Sequence, residues 1–281
     1  MHAPTTQTVS TLRRVLRRTG LLPVAFGLWR RFRYWTPART RANWRLRRAA
    51  SGVPIPPSGL LLVTGASTDV SWFLESGVAT TSSFTTALER IGRPIESFSS
   101  ILDFGCGCGR VLRQWQTLAG GGPRIFGTDY NEKLVHWCQR HLSFVDVQKN
   151  ELTPPLRYAD ASFDLCYAVS VFTHLPEETQ DEWLVELRRV IKPEGILLVT
   201  LSGEGDLSRV RFSEQQRFGR GELVVVDGDF AGTNMCGAYH PEQYVREHWA
   251  HYFTVIDFLP RGAKGSPHQD LYVLKRNSDK Y

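Results

Sequence analysis

Apolar and polar positions run through this chain in two rhythms, and from about Ser99 onward the two take turns. Short apolar blocks of strand length read "SILDF", "RIFGT", "FVDVQ", "SFDLCYAVSVF" and "ILLVTL", and "FTVIDFLP" and "LYVLK" close the chain. The block around Cys166 is apolar without interruption, the pattern of a strand covered on both faces. Between the blocks apolar residues recur at helical spacing. Val111, Leu112, Trp115, Leu118 and Ala119 form one such set, ended by "GGGP". Leu134, Val135, Cys138 and Leu142 form another, in a helix from about Asn131. Pro176 opens a third with Trp183, Leu184, Leu187, Val190 and Ile191 inward, and Pro241 a fourth in "HPEQYVREHWAHY". The turn "KPEG" places Gly195 at a left-handed position. Strands alternating with helices predict an α/β fold on a largely parallel sheet, and the short final link predicts that the last two strands pair antiparallel.

The first part of the chain follows neither rhythm. "STLRRVLRR" sets Leu12, Val15 and Leu16 opposite arginines, and "VAFGLWRRFRYW" interleaves Phe26, Trp29, Phe32 and Tyr34 with them. "SGVPIPPSG", Ser51 to Gly59, is a connector that its prolines keep extended. The chain thus divides into a basic helical arm over 1–50, a connector and cap over 51–98, and the α/β domain over 99–281, with a lid-like insertion at 202–239.

Charge sharpens that division. The first fifty residues hold twelve arginines and no acid, the first acid being Asp69; with a total of +6, the remainder carries about −6. Basic residues mixed with aromatic ones fit the surface of an anionic membrane. They also fit nucleic-acid phosphates, an organellar transit peptide, or a basic helix lying on the acidic body. Five cysteines, none spaced CxxC, fit a reducing compartment and neither a disulfide framework nor a metal site. No stretch approaches the about 18 apolar residues of a spanning helix, so the expected location is the cytoplasm, with peripheral contact at the inner membrane surface.

The densest chemistry lies in "LDFGCGCGR", where Gly105, Gly107 and Gly109 follow a strand and lead into a helix. Backbone approaches a ligand closely at that junction. A dinucleotide fingerprint needs its third glycine at position 110, which is Arg110 here. Asp103, two residues before the first glycine, suits a cationic amine better than a pyrophosphate. Asp129, at the end of the next strand in "FGTDYN", suits the two hydroxyls of a ribose, though as a helix N-cap it would serve structure alone.

With "GTDYN", "SFDLCYAVSVFTHL" and "ELRRVIKPEGILLVT", the chain resembles the class I S-adenosylmethionine-dependent methyltransferases from about Ser99 to its end. "CGCGR", "VFTHLPE" and "GSPHQDLYVL" are similar to a bacterial subgroup linked with glycan and natural-product tailoring. The resemblance implies a Rossmann-like seven-stranded, mostly parallel sheet with its last strand reversed and helices on both sides. It implies S-adenosylmethionine as cofactor. Asp103, Gly105, Cys106, Gly107 and Gly109 would surround the methionine and ribose, Asp129 would hold the ribose hydroxyls, Tyr130 would cover the adenine, and Asn150 and Glu151 would reach its edge. Ser170, Val171 and Phe172 would face the sulfonium.

An acceptor oxygen calls for a base, and His174 and His240 stand at the right ends of their elements; His174 could equally bond backbone in a first helical turn, and capping its helix is the leading alternative for His240. Trp72, Phe73 and Tyr239 are candidate walls of the acceptor pocket, with helix packing the alternative for Trp72 and Phe73. "SVFTH" stands where enzymes acting on nucleobase amines carry a polar-Pro-Pro-aromatic motif, which disfavours nucleic acid as acceptor. The expected activity is methyl transfer to a small-molecule, glycan or lipid-linked acceptor, most readily at oxygen. The alternatives are an NAD-dependent oxidoreductase and a non-catalytic S-adenosylmethionine-binding adaptor at a membrane.

Overall fold

Five apolar blocks become parallel strands: β1 (Ser100–Phe104), β2 (Arg124–Asp129), β3 (Val145–Lys149), β4 (Phe163–Val169) and β5 (Ile191–Leu201). The closing hairpin supplies β8 (Phe253–Ala263) and β9 (Gln269–Arg276), and the sheet order is β3-β2-β1-β4-β5-β9-β8. In this sheet β9 alone is reversed relative to the other six strands. This seven-stranded arrangement is the one the resemblance implies. In this computed structural model the described residues are 16, 19–34, 36–50, 52–65, 67–265 and 268–277.

Strand side chains alternate between two buried faces. Ile101 packs on one side with Phe84, Leu88, Trp115 and Tyr167, whereas Leu102 and Phe104 pack on the other with Phe163, Trp183 and Trp249. Helices α4 (Val70–Arg90) and α5 (Glu132–His141) cover the first face, and α6 (Glu177–Val190) and α8 (Glu242–His248) the second. The strand order reverses direction between β1 and β4, so the crevice beyond their carboxyl ends is the natural ligand site.

Several local expectations change. The run after the glycine turn is a 3₁₀ segment, Leu112–Leu118, and not an α-helix. It lies between Gly109 at φ 80° and the bend in which Gly122 bonds back to Leu118. The "KPEG" turn is absorbed into β5, and Glu194, at φ 62°, holds the left-handed position expected for Gly195. Gly195 is needed for space, because a Cβ there would stand 2.5 Å from Ile191 and 2.8 Å from the Lys192 carbonyl. The connector stays extended only to Pro57, after which Ser58–Gly65 form a helix, α3. The N-cap of α5 is Asn131, which accepts from Lys133, and not Asp129.

The arm contributes α1 (Leu22–Tyr34) and α2 (Pro37–Ala49). Thr36 caps α2, and the buried Asn43 fastens it to the body, donating to the Thr68 carbonyl at 2.7 Å and accepting from the Val70 amide at 3.0 Å. The amphipathic face expected over 10–18 falls outside the described residues except at Leu16, as do the side chains at 30–35. Insertion 202–239 holds α7 (Phe212–Gly219) and a ribbon of β6 (Val224–Val226) with β7 (Gly237–Tyr239). Among the described residues no helix is long and apolar enough to cross a membrane.

Candidate functional site

The cleft beyond β1 and β4 has a volume of about 520 Å³, within the range of about 300–1,000 Å³ that holds small ligands. Its floor is the glycine turn. Gly105 and Cys106 donate to the Thr128 carbonyl at 2.8 and 2.9 Å, which ties the turn to the end of β2. Gly105 and Gly107 have φ of 77° and 58°, and a Cβ would run into Val171 at the first and stand 2.6 Å from Thr64 at the second. Both positions therefore require glycine, and both line the cleft. Gly109 does not line it: a Cβ there would meet Leu142 and Cys138 of the α5 layer, so this glycine serves packing.

Two buried carboxylates face this floor. Asp129 accepts from the Gly107 amide through Oδ2 at 2.9 Å and from the Asn131 amide through Oδ1 at 2.8 Å. Burial raises its carboxyl to about 6, against the pull of those two amides. Asp103 lies deeper and is pushed up to about 8 by burial, opposed by a hydrogen bond from the Tyr167 hydroxyl and by the Arg110 guanidinium. Tyr167 in turn accepts from the Trp115 indole at 3.0 Å, so a Trp115–Tyr167 relay orients Asp103.

Tyr130 stands at the rim and donates through its hydroxyl to the Gly232 carbonyl at 2.8 Å. Asn150 lines the cleft but uses both ends of its amide locally, accepting from Thr128 and donating to the Glu151 carbonyl. Glu151 also lines it and pairs with Lys149 at 3.0 Å. Ser170, at φ 58°, turns the chain out of β4, and Val171 follows it along the cleft wall. Phe172 points the other way. It is fully buried against Phe104 and Trp249, at the start of the 3₁₀ turn Phe172–His174.

The two histidines separate as well. His174 lines the cleft, and its Nδ1 meets the Cys236 carbonyl at 2.8 Å. A carbonyl only accepts, so Nδ1 carries a hydrogen and Nε2 is the nitrogen that gains or loses a proton. His240 does not reach the cleft. It is buried, with Nε2 at 2.9 Å from Gln180 Oε1, and burial lowers it to about 3. Nor does it cap α8, whose N-cap is Pro241. Trp72 and Tyr239 line the cleft, whereas Phe73 points into the core with Leu61 and Val70.

Three contributions went unread in the sequence. From α3, Thr64 accepts from the Cys108 amide at 3.2 Å, so Val63–Gly65 roof the glycine turn. Arg110, buried beneath them, donates to Thr80 at 3.2 Å and faces the Trp72 ring at 5.7 Å. Gln269 accepts from both Ser170 Oγ at 2.6 Å and Thr200 Oγ1 at 2.7 Å. Its signal was available: it is the polar residue in the inward register of Leu271 and Val273.

Residues 102–199 match a family model described as a methyltransferase domain. The chain is 34% identical over 119 residues to a malonyl-[acyl-carrier protein] O-methyltransferase of Erwinia pyrifoliae, covering 41% of this chain and 42% of that one. It is 29% identical over 178 residues to a 27-O-demethylrifamycin SV methyltransferase of Amycolatopsis mediterranei, covering 56% and 61%. The matches thus span about half the length of these curated relatives. A crystal structure of a Pyrococcus horikoshii OT3 protein superposes with a TM-score of 0.51 at 19% identity, over 70% of this chain and 91% of the other, which shows the fold. By its matched segment, its strand order and its glycine turn, this chain carries over residues 102–199 a methyltransferase domain on the class I S-adenosylmethionine-dependent methyltransferase fold.

Proposed function

We propose that this protein transfers a methyl group from S-adenosylmethionine to an oxygen of a small-molecule, glycan or lipid-linked acceptor. The observation that carries the reading is the cradle itself: two glycines whose Cβ atoms would collide with their neighbours, beside a buried carboxylate bonded to the amide of one of them. That combination fits the cofactor. Asp129 keeps lone pairs for the ribose hydroxyls, and Asp103 offers the one buried acid placed for the methionine ammonium. Tyr130, Asn150 and Glu151 border the adenine end, and Ser170 and Val171 the sulfonium end. When bound, the cofactor supplies a methyl group already activated on a sulfonium. The protein's share is alignment, exclusion of water and removal of one proton.

His174 takes that proton in this reading, from the acceptor hydroxyl onto Nε2, while the Cys236 carbonyl steadies the ring through Nδ1. Trp72 and Tyr239 flank the space left for the acceptor. The names of two of the curated relatives refer to O-methyl groups, which supports oxygen, while a third is named for N(3) of a cytidine in tRNA. Incubation with methyl-labelled S-adenosylmethionine and an extract of the source cells, with Asp129→Ala as control, tests the reading. Label in the small-molecule, glycan or lipid fraction is expected. Label in nucleic acid, or saturable cofactor binding without turnover, overturns it, the latter in favour of an adaptor.

A further inference from the structure

Among the described side chains of α1 and α2 none lines the cleft, so methyl transfer leaves the arm unexplained. Its described surface has two features that face solvent. At the start of α1 and along it, Leu21, Val24 and Leu28 recur at helical spacing and each stands more than half exposed. Along α2, Arg41, Trp44, Arg45 and Arg48 recur the same way, all exposed, with the Arg48 guanidinium 4.8 Å over the Trp44 ring. No acid precedes Asp69 to neutralise the arginines.

We propose that α1 and α2 dock this protein on an anionic lipid bilayer. Phosphate-bearing polymers would satisfy the arginines but give nothing to an exposed Leu-Val-Leu stripe. A bilayer accommodates both, with the stripe at the acyl boundary and the arginines and Trp44 at the headgroups. The arm also has a fixed bearing on the cleft. Asn43 binds α2 to Thr68 and to Val70, which lies two residues before Trp72, and α3 with its half-exposed Val63 forms the adjoining rim. An acceptor held in the bilayer would enter beside Trp72. That last step rests on the methyl-transfer reading, whereas docking does not.

The test mixes the full chain with phosphatidylcholine vesicles, with and without phosphatidylglycerol, and measures co-sedimentation. Binding is expected only with phosphatidylglycerol. Arg41→Gln, Arg45→Gln and Arg48→Gln together should weaken it about a hundredfold, at about fivefold per charge. Val24→Asp with Leu28→Asp should weaken it at least tenfold. These positions are exposed, so both variants should keep the parent's unfolding temperature. Absence of sedimentation, equal sedimentation with phosphatidylcholine alone, or unchanged binding by either variant overturns the proposal. So does capture of a duplex oligonucleotide by the parent and the Val24/Leu28 variant alike without vesicle binding, which would assign the arm to nucleic acid. The assay contains no cofactor or acceptor, so its failure leaves methyl transfer intact, and loss of labelling in Asp129→Ala leaves docking intact.

Discussion

The Gly107 amide donates to Oδ2 of Asp129 at 2.9 Å, so the carboxylate proposed for the ribose also holds the turn proposed for the methionine. Its other oxygen holds the Asn131 amide at the head of α5. Asp129→Ala strips partners from two N–H groups at once, at a cost of about 1–3 kcal/mol for each one left buried. Calorimetric titration with S-adenosylhomocysteine should show at least a hundredfold loss of affinity, and thermal unfolding a lower midpoint. An alanine variant that bound normally would remove Asp129 from the site.

The three glycines should divide by role. All have positive φ, so alanine strains the backbone at each by about 1–2 kcal/mol. At Gly105 and Gly107 the added methyl also disturbs Val171 and Thr64 on the cleft, and affinity should fall with stability. At Gly109 the methyl presses on Leu142, away from the cleft. Gly109→Ala should therefore unfold earlier yet, while folded, bind cofactor within about threefold of the parent, a gap under 1 kcal/mol.

What was legible in the sequence followed periodicity and short-range geometry. The central strands β1, β4 and β5 stood out as short apolar runs buried on both faces, and Gly105, Gly107 and Asp129 because a strand end fixes where the next few residues point. Directions set by tertiary packing were not legible. Phe172 and Val171 are neighbours, yet one faces the core and the other the cleft, a choice made by the positive φ of Ser170. Phe73 and Trp72 divide in the same way about the phase of α4. Thr64 escaped because nothing local to "SGLLLVTG" shows that this turn comes to rest on Gly107.

Cofactor affinity should depend on pH through Asp103. Burial sets its carboxyl at about 8 in the folded chain, so the acid is mostly protonated at neutral pH. A bound ammonium favours the carboxylate, and binding below pH 8 must expel a proton. Affinity for S-adenosylhomocysteine should then fall by about tenfold per unit between pH 8 and pH 6. Calorimetry in buffers of different ionisation enthalpy would detect the released proton. Asp103→Asn should bind more weakly at pH 8 and lose the slope, and a parent with no slope would contradict the assignment.

His240 should make the fold sensitive to acid. Gln180 donates its amide to the Phe172 and Leu175 carbonyls, so its Oε1 accepts from His240 Nε2, and His240 Nδ1 finds no partner among the described residues. A second proton has nowhere to go, in keeping with the fall to about 3. The folded value lies below the unfolded one of about 6.5, so the stabilisation is complete above pH 6.5 and is lost as pH falls toward 3. Asp129 and Asp103, raised by burial, take up protons in the folded chain and act in the opposite sense. The comparison must therefore be with His240→Gln. Between pH 7 and pH 5 the parent should lose about 2 kcal/mol more stability than this variant in denaturant unfolding.

His174 gives the sharpest test of chemistry, because its two nitrogens have different duties. Nδ1 is committed to the Cys236 carbonyl, which belongs to the same insertion whose Gly232 carbonyl receives the Tyr130 hydroxyl. The Gly232 amide returns to the His174 carbonyl at 2.7 Å, so the loop proposed to border the adenine and the residue proposed to meet the acceptor are held together. A role confined to bracing this loop would predict that His174→Ala weakens cofactor binding. A role as base predicts unchanged S-adenosylhomocysteine affinity and a kcat lower by about 10²–10⁴. Added imidazole should then restore part of the rate, since it can occupy the vacated space and accept the acceptor's proton. Rescue without any change in cofactor affinity would assign the proton transfer to Nε2, and a loss confined to affinity would make His174 a brace.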